Sequence, residues 1–187
     1  METGSKSSRT GTGGTRPTTY NTNSAFWKRF YKNCSIDEPS DFAKLVSDKF
    51  VDGTILDLGC GNGRDTNFFV ALGYDAEGKD KCTTGEDACE LYGHWDNLYM
   101  RWFLHSIPED VEDDIFRNIS FKRCFIEVRS SLDKPNPDHY RRLIDGRTFV
   151  QKLVNLGLKI DYYQEGYGLS VMNGEDPHLI RIICSSG

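Results

Sequence analysis

The sequence predicts an α/β fold with a largely parallel sheet, and three observations point there. Residues 54–58 are short, apolar and β-favouring, as in a strand buried on both faces. Gly59, Gly61 and Gly63 follow at alternate positions and lead into a helical run at 65–72. A second strand pattern at 74–79 comes directly after that helix, so a ligand of this unit would lie outside the strands' carboxyl ends.

Composition sets the outer limits. A chain of 187 residues is one ordinary domain that needs no staples. A net charge of -5 argues against a broad phosphate-binding surface, leaving only a local basic patch for nucleic acid. Cys34, Cys60, Cys82, Cys89, Cys124 and Cys184 show no CxxC or Cys/His spacing, so they read as reduced thiols and no metal site is expected. No apolar run approaches the roughly 20 residues that span a membrane, and no secretory leader pattern opens the chain. A soluble cytoplasmic protein is the expectation.

Taken in order, residues 1–23 are Gly, Ser and Thr rich with Lys6, Arg9 and Arg16, and are expected to be a disordered tail before a domain at 24–187. Phe26, Trp27, Phe30 and Tyr31 form an aromatic stripe that suits a helix over 24–33. Ser40 can cap a second helix over 41–50. In the third helical run Phe68, Phe69 and Leu72 recur at helical spacing and Gly73 ends it.

The glycine loop separates ligand classes. It is neither the G-x-G-x-x-G of dinucleotide sites nor a P-loop ending in Gly-Lys-Ser/Thr. Asp57-x-Gly59-Cys60-Gly61-x-Gly63, with Arg64-Asp65 after it, resembles the first motif of class I S-adenosylmethionine-dependent methyltransferases. The resemblance implies a Rossmann-like sheet closed by a C-terminal antiparallel hairpin, with S-adenosylmethionine as cofactor and Asp57 orienting the loop and the methionine end. It also implies that the helices before the first strand cover the cofactor, although Trp27 and Tyr31 could equally just pack on the sheet. Asp80, ending the second strand, resembles the acidic residue that accepts both ribose hydroxyls.

Here the chain departs from the family. Residues 81–97 are too few for a helix, a third strand and a loop, so the third strand and its preceding helix are expected to be reduced or missing. The family's strand order, 3-2-1-4-5-7-6, puts that strand at an edge, which leaves the second strand as an exposed edge where a partner chain could dock. Glu86-Asp87-Ala88 resembles the acidic motif that meets the adenine, with Asp87 as the cofactor residue.

A fourth strand is expected over 97–103. Tyr99-x-Arg101-x-Phe103-x-His105 resembles a methyltransferase subgroup with a Tyr-x-Arg-Phe-x-Leu-His-x-Ile signature, found among other places beside bacterial glycan-biosynthesis genes. The resemblance puts Arg101 and His105 beside the transferring methyl. Arg101 could bind a substrate oxyanion or carboxylate, and His105 either removes a hydroxyl proton or only supports the next helix. Ser106 and Glu109 read as a capping box with Pro108 in the first turn.

A fifth strand over 121–129 carries Cys124, Ile126 and Val128 on one face. Arg129 near its end could face the cleft, with Glu127 as its structural partner. Residues 133–138 read as a loop over the site. His139, Tyr140, Arg141 and Arg142 could grip an anionic substrate group or be a solvated helix start. A helix over 147–155 with Phe149, Val150, Leu153 and Val154 inward precedes two final strands at 158–165 and 179–184.

The functional expectation is methyl transfer from S-adenosylmethionine to a hydroxyl of a small-molecule or glycan-like acceptor. Arg101 and His105 are the reaction residues, and Arg129, His139 and Tyr140 the substrate residues. Two alternatives stand beside it. One is an RNA methyltransferase using Arg141, Arg142, Arg147 and Tyr140. The other is a non-catalytic cofactor-binding module that regulates a partner.

Overall fold

The structure, a computed structural model, describes residues 18–33, 36–135, 139–172 and 174–187. The proposed tail thus lies outside the described residues except for its last six. These are helical, because α1 runs from Thr18 to Asn33 and not from residue 24. Asn23 explains the extension: its side chain is buried and donates to the carbonyls of Ser106 and Tyr140, while accepting from the Tyr140 N–H.

Among the described residues, five α-helices and six strands follow the predicted order. After α1 come α2 (Asp41–Val46), β1 (Thr54–Leu58), α3 (Arg64–Ala71) and β2 (Asp75–Lys79). The second half has β3 (Gly93–Arg101), α4 (Glu109–Asn118), β4 (Ile119–Arg129), α5 (Gly146–Asn155), β5 (Leu158–Gly166) and β6 (Leu179–Ser186). The strands form one sheet in the order β2-β1-β3-β4-β6-β5. The pairs β2/β1, β1/β3 and β3/β4 are parallel, whereas β6 runs antiparallel to both β4 and β5.

Between β2 and β3 the described chain holds only turns and a 3-10 turn at Ala88–Glu90, so the expected strand and helix are missing and β2 is an edge. Two hydrophobic clusters lie on the two faces. Alternation along β4 sends Cys124, Ile126 and Val128 to the cluster of α4 and α5, and Phe125 to the cluster of α2 and α3.

Several local expectations change. The third expected strand in this chain, β3, starts at Gly93, four residues early, because pairing with Ile119 and Ser120 on β4 extends it through polar positions. α2 stops at Val46, although Ser40 caps it by accepting the Ala43 N–H. Pro108, not Ser106, is the N-cap of α4, and the Ser106 hydroxyl turns back to the Trp102 carbonyl instead. Val154, expected inward, is about half exposed.

Candidate active site

The glycine loop is fixed from both flanks. The N–H groups of Gly59 and Cys60 donate to the carbonyl of Lys79 at the end of β2, and the Gly61 N–H donates to Asp80 Oδ2 at 3.3 Å. Gly61 sits at φ +59°, and a Cβ there would come within 2.4 Å of the Tyr31 ring, so α1 packs directly on the loop. Gly59 is likewise covered by Phe103, and Gly63 caps α3 at φ +79°.

Above the carboxyl ends of β1, β3 and β4 lies a cavity of about 260 Å³. Its walls are Phe26, Trp27 and Tyr31 of α1, the glycine loop, Arg101, Trp102 and His105 after β3, and Arg129, His139 and Arg141. A smaller lobe of about 70 Å³ shares Trp27, Tyr31, Gly59 and Trp102 and extends to Asp80 and Phe103. Burial inside this wall raises the Tyr31 phenol, with the Asp80 charge adding to the effect.

Asp57 is 2 % exposed and accepts the Thr66 hydroxyl at 2.6 Å. Burial, then the neighbouring Asp65 carboxylate, pushes its carboxyl up to about 7. Asp65 is itself held by Ser40 N–H, Ser40 Oγ and Tyr99 OH at 2.8–2.9 Å, which ties α2, α3 and β3 together at the cavity floor. Asp80 uses Oδ1 for the N–H groups of Cys82 and Thr83, leaving Oδ2 toward the loop. The Cys60 thiol is raised by burial and by Asp57 and Asp80, so it stays protonated.

Charge runs across the sheet at the next layer. Arg101, Glu127 and Arg181 are successive cross-strand neighbours, with Glu127 Oε1 at 3.2 Å from Arg101 Nε and Oε2 at 2.7 Å from Arg181 Nε. Glu127 is therefore the partner of those two arginines and not of Arg129. Arg129 pairs with Asp133 at 2.8 Å and with Glu175 at 3.1 Å, both from loops distant in sequence or turned back on it.

His105 is 1 % exposed, and its Nδ1 accepts the Arg129 backbone N–H at 3.2 Å. Burial, then the charges of Arg141 and Arg129, lowers its pKa well below the usual imidazole value. A neutral ring with Nδ1 as acceptor carries its hydrogen on Nε2 and presents a donor to the cavity.

Of the remaining expected residues, His139 lines the cavity, stacked on Phe26 at 4.2 Å. Tyr140 does not line it and instead holds Asn23 through its main chain. Asp87 lines neither lobe. It caps the 3-10 turn and pairs with Lys81 at 2.7 Å, so with the third strand absent it is drawn away from the cavity.

The sequence reading passed over Trp102. It is the only non-glycine at positive φ among the described residues, at +55°. The guanidinium carbons of Arg101, at 4.4 Å, and Arg129, at 5.1 Å, lie over its indole ring. Backbone strain of this kind concentrates at functional sites, but no residue type announces it in advance.

Comparison with solved structures gives the architecture a wider setting. The glycopeptide N-methyltransferase MtfA complexed with S-adenosyl-L-homocysteine matches with a TM-score of 0.62 at 11% identity, over 80% of this chain and 90% of that one. The chain has the class I methyltransferase fold. Within that fold, TehB from Haemophilus influenzae aligns with a TM-score of 0.62 at 15% identity, over 88% of this chain and 67% of that one. The 1,6-didemethyltoxoflavin-N1-methyltransferase of Burkholderia thailandensis aligns with a TM-score of 0.60 at 16% identity, over 90% and 78%. Residues 20–101 match the family described as tellurite resistance protein TehB. No curated protein matches the sequence.

Proposed function

We propose that this chain binds S-adenosylmethionine in the cavity and transfers its methyl group to a hydroxyl of a small-molecule or glycan-like acceptor. The observation that carries the reading is that Asp57, the glycine loop and Asp80 line two adjoining cavities at the carboxyl ends of β1 and β2, which share Trp27, Tyr31, Gly59 and Trp102. Solved structures of this fold include complexes with S-adenosyl-L-homocysteine, sinefungin and S-adenosyl-L-methionine.

In this reading Asp57 and Gly59 would hold the methionine end, the Asp57 carboxylate countering its ammonium, and Asp80 with Tyr31 and Phe103 would hold the ribose. Bound there, the sulfonium supplies an activated methyl for in-line displacement. The chain's own residues align the acceptor and exclude water.

His105 donates Nε2–H to the acceptor oxygen, which orients a lone pair at the methyl, and the proton displaced from the hydroxyl passes to the Glu175 carboxylate, which also lines the cavity, and on to solvent. Arg101 stays with Glu127 as the charged floor. Tyr99, Arg101, Phe103 and His105, the positions of the subgroup signature, then have separate tasks: Tyr99 fixes Asp65, Arg101 balances Glu127, Phe103 covers Gly59 and His105 faces the acceptor.

Calorimetry with S-adenosylhomocysteine tests the reading. Micromolar binding is expected, weakened at least about tenfold in Asp57→Ala and in Asp80→Ala, with circular dichroism unchanged. Absence of binding to the folded wild-type chain overturns it.

A further inference from the structure

Resting on the cofactor reading above, we propose that the acceptor carries a carboxylate or similar anionic oxygen group on a ring-bearing body, and that Arg141 receives that group in the part of the cavity beside β4.

Arg141 lines the cavity, yet no carboxylate lies within ion-pair distance of it among the described residues, whereas Arg101 has Glu127 and Arg129 has Asp133 and Glu175. Its bond from Nη2 goes to His139 Nε2 at 3.2 Å, and its Nε is shielded from solvent without a partner. The Nε of Arg129 and the indole Nε1 of Trp102 are shielded and unpartnered as well. His105, with Nδ1 committed to the Arg129 amide, adds another donor.

Of the carboxylates on this cavity wall, Asp57 is bonded to Thr66, Asp65 to Ser40 and Tyr99, and Glu175, 66% exposed, is held on Arg129, so among the described residues none is paired with Arg141. Half-burying a guanidinium without a paired counter-ion is costly. Burial and the Arg129 charge together lower Arg141 to about 10, against the opposing pull of Asp133 and Glu175. An anion placed here relieves that cost, and a planar carboxylate matches the guanidinium fork.

Location separates this group from the carboxylate of the cofactor. β1, which carries the glycine loop, and β4, which carries Arg129, are two strand spacings apart across the sheet, roughly 10 Å. The flat walls between them are Trp27 and Phe26 with His139 stacked on it. These suit the face of a ring and leave the acid group to the arginine.

The test uses tryptophan fluorescence, since Trp27 and Trp102 line the cavity. Wild-type protein saturated with S-adenosylhomocysteine is titrated with benzoate, benzamide and acetate, and the titrations are repeated with Arg141→Gln and Arg141→Lys. The expected result is a saturable response to benzoate, at least tenfold stronger than to benzamide and stronger than to acetate. It falls at least tenfold in Arg141→Gln and less in Arg141→Lys, while the affinity for S-adenosylhomocysteine is unchanged in both variants.

Equal response to benzoate and benzamide, or benzoate binding untouched by Arg141→Gln, overturns the proposal. So does competition between benzoate and S-adenosylhomocysteine, which would assign the arginine to the cofactor's own carboxylate. If S-adenosylhomocysteine fails to bind but benzoate still binds through Arg141, the cofactor reading falls and the anion site stands.

Discussion

At the scale of single residues, the site is built from groups held in states they would not adopt in water. Asp57 is the clearest. Its carboxyl titrates near 7 in the fold against an ordinary aspartate value in the unfolded chain, so the folded state prefers it neutral. Below about pH 4 both states are protonated and nothing is lost. Between there and pH 7 the unfolded chain ionises first, and stability falls by about 4 kcal/mol. Asp57→Asn is therefore expected to melt several degrees above wild type at pH 8 and together with it at pH 4, in thermal scans of the ligand-free protein. A cofactor ammonium reverses the preference, so S-adenosylhomocysteine affinity should rise with pH through 7 in wild type and not in Asp57→Asn. Gly61 gives a steric counterpart. Gly61→Ala places a methyl inside the Tyr31 ring and strains the left-handed backbone by about 1 kcal/mol. Calorimetry should find cofactor affinity reduced at least about tenfold, and partly restored when Tyr31→Ala is added.

At the scale of elements, buried charges join segments that hydrophobic contact alone would leave loose. Glu112 on α4 is fully buried between Arg142, from the segment that carries His139 and Arg141, and Lys152 of α5 at 2.6 Å. Glu112→Ala leaves the Arg142 guanidinium without its carboxylate, while Lys152 keeps Asp113 and Glu109, and denaturant titration should show a loss of about 2 kcal/mol, less for Glu112→Gln. The elements also mark what the sequence discloses. β1, the glycine loop and α3 were legible because alternate glycines demand positive φ and an apolar strand must feed them. The start of β3 was not, since Gly93 and His94 are exposed and take strand geometry only by pairing with β4. The α4 cap was misread because Ser106 has the right residue type, yet the preceding 3-10 turn at Leu104–Ser106 directs its hydroxyl to Trp102. The partners of Arg129 lie 4 and 46 residues away, and only the folded loops bring the second of these into reach.

At the scale of the whole molecule, the missing third strand was readable from chain length, because residues 81–97 cannot hold it. What length could not convey is its effect on the site, where Asp87 is drawn to Lys81 and the smaller lobe is walled by α1 and Phe103 instead. The shortened sheet is also mechanically uneven. β2 pairs on one side only and is largely exposed or half-buried, while β3, β4 and β6 form its buried centre. Hydrogen exchange should accordingly open β2 and α3 ahead of β3, β4 and β6, with protection factors separated by at least about tenfold. Saturating S-adenosylhomocysteine should slow exchange at 59–63 and in β2 most of all, since the glycine loop hangs on Lys79 and Asp80.

The Asn23 amide has a kinetic meaning. It spends its two ends on Ser106 and Tyr140, 83 and 117 residues away, and with the Tyr31 contact on Gly61 and Ser24 beside Cys82 it pins α1 over the cavity. Loosening that tie opens the way out from under the helix, so it bears on how long a ligand resides more than on how tightly it is held. In stopped-flow traces Asn23→Ala should speed both arrival and departure of S-adenosylhomocysteine by about tenfold, with the ratio of the two rates nearly unchanged.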